Sequence, residues 1–157
     1  MGIALTLHLL AATVWVGGLS FAFVGLRPAT AELDAAHRVK MWSDALGAFA
    51  LWTWAAIVIL LATGFWMIFR LEGGMKGAGL HVHLMLGIGL LMMLMQGHLQ
   101  FAPLKRLRHA VAGSHWADAG KALGQVRVFI AIQLVLGLAV VAIASGGRYF
   151  FSAASLQ

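Results

Sequence analysis

The side chains in this sequence that can hold a metal or pass an electron are concentrated in one apolar stretch, His81–Gln100, HVHLMLGIGLLMMLMQGHLQ. It carries His81, His83 and His98 together with Met85, Met92, Met93 and Met95. A further histidine, His8, stands alone within LTLHLLAATVWVGG. Imidazole ligates haem iron and most transition metals, and thioethers are soft ligands for Cu(I). The sequence has no cysteine, which removes disulfides, Cys-ligated zinc, iron–sulfur clusters and covalently attached c-type haem. Any metal or haem site must therefore use histidine, methionine, carboxylate or backbone ligands.

Helical geometry sorts the candidates. His8 lies about five residues into its apolar run, and His83 at a similar depth from the end of another. Two imidazoles at matching depth on separate helices suit axial ligation of a haem or capture of a metal ion. The bland alternative is a bond to a backbone carbonyl or contact with interfacial water. At about 100° per residue His81 points roughly 200° away from His83, so it is expected to be a solvated interfacial residue. His98 follows His83 by about 22 Å along the helix and about 60° around it, broadly the same face at the far end. Paired histidines of this spacing occur in two-haem cytochromes b, but only His37, in a linker, could partner His98. A polar cluster of His98 with Gln96 and Gln100 is the other use. His109 and His115 lie in a basic linker and are expected to be solvated. The four methionines spread around the helix and read mainly as gap-fillers; Met85, close to His83, is the candidate ligand.

The elements that must position these groups are membrane spans. Of 157 residues 62% are hydrophobic and only 10% charged, against about a quarter charged in soluble domains. Four segments reach the roughly 20 apolar residues needed to cross a bilayer: Ile3–Leu26, Ala45–Phe69, Gly79–Phe101 and Val128–Gly147. The first has no basic leader region and is followed by LRPAT, so it reads as a span and not as a signal peptide. The linkers after spans one and three hold Arg27, Arg38, Lys40, Lys105, Arg106, Arg108, Lys121 and Arg127; the opposite side holds Arg70, Lys76 and Arg148. The positive-inside rule then puts both termini outside, in the periplasm of a Gram-negative host. It also accounts for the net charge of +6 without nucleic acid as a partner.

The segments TAELDAAHRVKMWSDALG, with Thr30 as its cap, and SHWADAGKALGQV are expected to extend spans two and four as helices. LEGGMKGAG reads as a turn. Along span one, His8, Ala11, Ala12, Trp15, Gly18 and Ala22 form a stripe, and Gly87 lies one turn after His83. Small residues of this kind allow close helix approach or leave room for a flat macrocycle. Arg70, on the side of His8 and His83, could pair with haem propionates or act as a snorkelling anchor.

Several stretches, LHLLAATVWVGGLSFAFVGLRP, ATGFWMIF, HVHLMLGIGLLMMLMQGHLQFAPLKRLR and GGRYF, resemble the CopD-like membrane proteins, named for copper resistance. The resemblance covers nearly the whole chain, in a short four-span form. It rests on His8 with Trp15-Val16-Gly17-Gly18, on Arg27-Pro28, on His83-Leu84-Met85 and on Gly97-His98. A more distant similarity is to HemJ, the haem-binding membrane protoporphyrinogen oxidase. HemJ opens span three with Leu-His-x-Lys, whereas this chain has Leu80-His81-Val82-His83, and the Asn-Glu-x-Pro pattern before the last HemJ span is missing.

The expected protein is thus all-α, a single four-helix membrane bundle over residues 1–157 in the bacterial inner membrane. The leading expectation is a b-type haem protein with a redox role, electron transfer or an oxidase-type reaction. His8 and His83 would be its axial pair, with Trp15, Gly18, Gly87, Arg70 and His98 around the cofactor. Copper binding or transport by His8, His83, Met85 and His98 is the alternative, and an accessory subunit of a membrane complex the third. Partners implied are the lipid bilayer, a redox partner or copper chaperone, and a second copy of the chain.

Overall fold

Asp34 starts the second long helix. In the computed structural model, which describes residues 2–71 and 73–153 and the side chains of these except 71 and 147–153, Asp34 Oδ2 accepts from the backbone N–H of Ala36 at 3.1 Å and of His37 at 3.4 Å. These are amides that a first helical turn otherwise leaves free. The cap expected at Thr30 is therefore at Asp34. Thr30 instead closes the preceding turn, donating its hydroxyl to the Leu26 carbonyl at 2.8 Å.

The chain runs through α1 (Gly2–Ser20), a π-helical segment (Phe21–Leu26), α2 (Arg27–Ala29), α3 (Ala35–Leu71), α4 (Leu80–Phe101), α5 (Pro103–Ala112) and α6 (Trp116–Ala153). No strand occurs among the described residues. Four stretches are long and apolar enough to cross a membrane: Gly2–Ala29, Ala35–Arg70, Leu80–Ala112 and Trp116–Gly146. Large apolar side chains point outward along them; Ile3 is 80% exposed, Leu51 76% and Leu94 74%. In water such a surface would drive aggregation, whereas in lipid it is the ordinary exterior. The protein is a multi-pass, all-helical membrane protein.

The 37 residues of α3 span about 55 Å at 1.5 Å per residue, well beyond a hydrocarbon core of about 30 Å. As expected, the linker segments continue spans two and four as unbroken helix. One element was not foreseen. α4 stops at Ala102 because Pro103 has no N–H to continue the ladder; it becomes the first residue of α5. Leu104 and Leu107 of α5 are buried, while Lys105, Arg106 and Arg108 face out. On α6, Ala119, Leu123 and Val126 are buried, while Trp116 at its start is exposed. Within the turn after α3, Glu72 lies outside the described residues, as does the side chain of Arg148.

Glycines set the closest approaches. A Cβ at Gly18 of α1 would lie 2.1 Å from Phe49 Cζ of α3, so the ring occupies the space a side chain would need. A Cβ at Gly137 of α6 would lie 3.0 Å from Val16 Cγ2 of α1 and 3.3 Å from Met92 Cε of α4. Three spans thus meet at Gly137, and Met92, 3% exposed, serves there as packing. Spans that follow one another in the chain run antiparallel, while α1 and α4, which meet at Gly137, run in the same direction. One end of the bundle carries His8, Thr63, Arg70 and His83, and the other, the linker end, carries Arg27, Arg38, His98 and Arg127.

Candidate functional site

His8 is half-buried on α1, and its ring is turned toward α3. His8 Nδ1 lies 2.8 Å from Thr63 Oγ1. The Thr63 hydroxyl has one hydrogen, and it donates that to the Ile59 carbonyl at 2.6 Å. With the Thr63 hydrogen given to Ile59, the hydroxyl oxygen accepts from His8 Nδ1–H, and in the neutral ring that leaves the lone pair on Nε2. A ring nitrogen held by a hydrogen bond is how metal-binding imidazoles are oriented. Gly64 makes it possible: a Cβ there would sit 3.3 Å from His8 Cε1, tighter than ordinary contact. Thr63 and Gly64, adjacent in LLATGFW, were not singled out from sequence. A threonine followed by a glycine within an apolar span was the available signal.

On α4 the histidines fall differently from the helical-wheel expectation. His83 is exposed, its Nδ1 3.1 Å from the Gly79 carbonyl, while His81 is half-buried with its ring folded back beside Gly79. Met85 is half-buried. At the linker end His98 is exposed on α4 and lies against Phe129 of α6, ring centroids 5.2 Å apart. Gln96 pairs with neither His98 nor Gln100, the cluster expected from the sequence: its Oε1 accepts from Gln133 Nε2 at 3.2 Å. Both glutamines are buried, 6% and 0% exposed. Gln133 was missed in the sequence although it interrupts the apolar run AIQLVLG.

Trp15 is 3% exposed and lines a small cavity of about 30 Å³ with Gly18, Phe49, Thr53, Gln96 and Gln100. The indole N–H of Trp15 and Gln100 Oε1 are buried without a hydrogen-bond partner among the described residues. The volume is about that of a single water. Gly87 is exposed and a side chain there would meet nothing within 4 Å; Arg70 is also exposed. Among the described residues no group of three or more His, Cys, Asp or Glu side chains is gathered as a metal site.

A four-span helical membrane protein with an oriented intramembrane imidazole is the class that fold and site define. The model of the family described as CopD, copper resistance protein D, matches residues 43–146, more than half the chain, and the chain belongs to that family. The matched region includes Thr63, His83, Met85 and His98 but not His8, Trp15 or Gly18. No curated protein and no solved structure matches the chain.

Proposed function

We propose that this CopD-family protein binds copper within the membrane, with His8 Nε2 as the central ligand. The hydrogen bond between His8 Nδ1 and Thr63 carries the reading, because in the neutral imidazole it orients the ring and leaves Nε2 as the lone-pair donor. Thioether and imidazole suit Cu(I), and His83 and Met85 at the same end of the bundle are the further donors. Copper here is cargo or substrate. The role of the chain is to offer a soft, neutral ligand set where an aqueous ion would otherwise have no partner. His98, at the linker end, is the candidate for a second position on a path across the bilayer.

A b-type haem is the second reading, since axial ligation needs the same open imidazole nitrogen. The span-one stripe gives it less support. Gly18, which could have left room for a macrocycle, is filled by the Phe49 ring, and the cavity beside Trp15 is water-sized. Electron transfer or oxidase chemistry belongs to this second reading only. The bacterial inner membrane, with both termini outside, is the setting the charge distribution supports for either.

Purified protein in detergent separates the two. Copper bound in stoichiometric amount, with no Soret band, supports the first reading. A Soret band with sharp α and β bands after dithionite, lost in His8→Ala and His83→Ala, would replace it with the second.

A further inference from the structure

Three arginines gather around one loop at the linker end of the bundle. Arg27 follows span one directly, with its guanidinium 5.2 Å from the Phe23 ring centroid. Arg38, on the first turns of α3, directs Nη1 at the carbonyls of Ala31 and Leu33, 3.3 and 3.4 Å away. Arg127, on α6, lies 4.9 Å from the ring centroid of Trp42. Trp42 in turn donates its indole N–H to Thr30 Oγ1 at 2.9 Å, and the Thr30 hydroxyl also faces the Arg27 carbonyl at 3.3 Å. Loop 30–33 thus meets the Arg38 guanidinium directly and the Arg127 guanidinium through Trp42, while Arg27 touches it through its backbone carbonyl. Arg38 and Arg27 are near enough to act on Arg127 as like charges.

Nothing described neutralises them. The ion pairs among the described residues are Asp34 with His37, Lys40 with Asp44 and Asp118 with Lys121. Each is local to its own segment, and none reaches the three arginines. Glu32, in the same loop, is exposed and in no ion pair. Arg127 Nε is buried without a hydrogen-bond partner. Like charges held together repel, and a partly buried guanidinium with an idle N–H loses hydration as well. An anion with several oxygens would remove both costs. The Arg27 and Arg127 guanidiniums rest on aromatic rings and Arg38 commits only Nη1, at long range, to the loop carbonyls; the planar N–H edges that remain are suited to phosphate.

We propose that Arg27, Arg38 and Arg127 form a site for a phosphate group. The phosphate of an anionic lipid headgroup and free phosphate share this chemistry. Depth favours the lipid, because Arg27 and Arg127 flank the ends of spans one and four, where headgroups lie.

The test uses the full chain purified in maltoside detergent. Binding of dioleoylphosphatidylglycerol and of dioleoylphosphatidylcholine is read by native mass spectrometry, and binding of inorganic phosphate by calorimetry. The expected result is preferential retention of phosphatidylglycerol, reduced at least tenfold when Arg27→Gln, Arg38→Gln and Arg127→Gln are combined. Lys121→Gln, at the same end but outside the cluster, should leave it unchanged. If the triple variant does not fold by circular dichroism, Arg38→Gln alone, which removes only long contacts, should still lower binding severalfold. Saturable inorganic phosphate binding that the arginine variants abolish, without lipid preference, supports the site with a soluble ligand. Equal retention of both lipids with no phosphate binding, or binding that the arginine changes do not alter, overturns the proposal.

Discussion

His8 and Thr63, 55 residues apart in sequence, meet at 2.8 Å between α1 and α3, and the hydrogen bond orients the imidazole. Removing the hydroxyl should release the ring. Thr63→Val is expected to lower copper affinity by about 10–100-fold, the range for losing the hydrogen bond that orients a ligand. Thr63→Ser should restore most of it. Thr53→Val, whose hydroxyl bonds only the Phe49 carbonyl, should leave copper binding unchanged. A competition titration with a chromogenic Cu(I) chelator measures all three.

Gly64→Ala tests the same ring by sterics. The added methyl would press His8 Cε1 from 3.3 Å, so copper affinity should fall while the fold persists. Gly18→Ala should behave in the opposite way. Its methyl would need the space of the Phe49 ring, at a cost of about 1–3 kcal/mol for overpacking, with the Phe49→Leu double variant recovering stability. Detergent unfolding followed by circular dichroism separates the two outcomes.

The Gln96–Gln133 bond joins α4 to α6 across the buried interior. Interhelical hydrogen bonds within membranes average about 0.6 kcal/mol and reach about 1.7. A double-mutant cycle with Gln96→Leu and Gln133→Leu should give a coupling energy in that range, with either single change worse than the pair, because each leaves one buried amide unpartnered. A coupling near zero would show that the two amides do not act as a pair.

The start of α3 should respond to acid. The side-chain hydrogen bond from His37 is the main cause holding the Asp34 carboxyl below its usual range, helped by the backbone amides it caps and opposed by slight desolvation. Because the folded-state pKa is the lower one, the cap contributes fully above the ordinary carboxylate pKa of about 3.9. Its contribution is lost as pH falls through the lower folded value. Amide exchange at Ala36 and His37, corrected for intrinsic rates, should stay constant from neutral pH to about 4 and accelerate below it. In Asp34→Ala it should be fast at every pH.

Four spans and the helical continuations of spans two and four were legible because each is a one-dimensional pattern of apolar spacing. His8 was legible as a polar group in a costly place. Its partner was not, because Thr63 is joined to it only by the antiparallel packing of α1 on α3. The small residues of span one could be counted but not assigned a use; only the Phe49 ring at Gly18 shows that this one serves close packing. The pairing of His8 with His83 rested on matched depth, which ignores rotation about each helix axis. That rotation turns His8 toward Thr63 and leaves His83 exposed. α5 was hidden because its basic residues read as a linker, although Pro103 marked its start.

The most direct measurement is Cu(I) affinity of the purified protein and of His8→Ala, by chelator competition at matched folding. One tight equivalent is expected in the original chain and a loss in His8→Ala at least as large as the roughly 10–100-fold expected for Thr63→Val, with smaller losses in His83→Ala and Met85→Leu. Unchanged affinity and stoichiometry in His8→Ala would contradict this expectation.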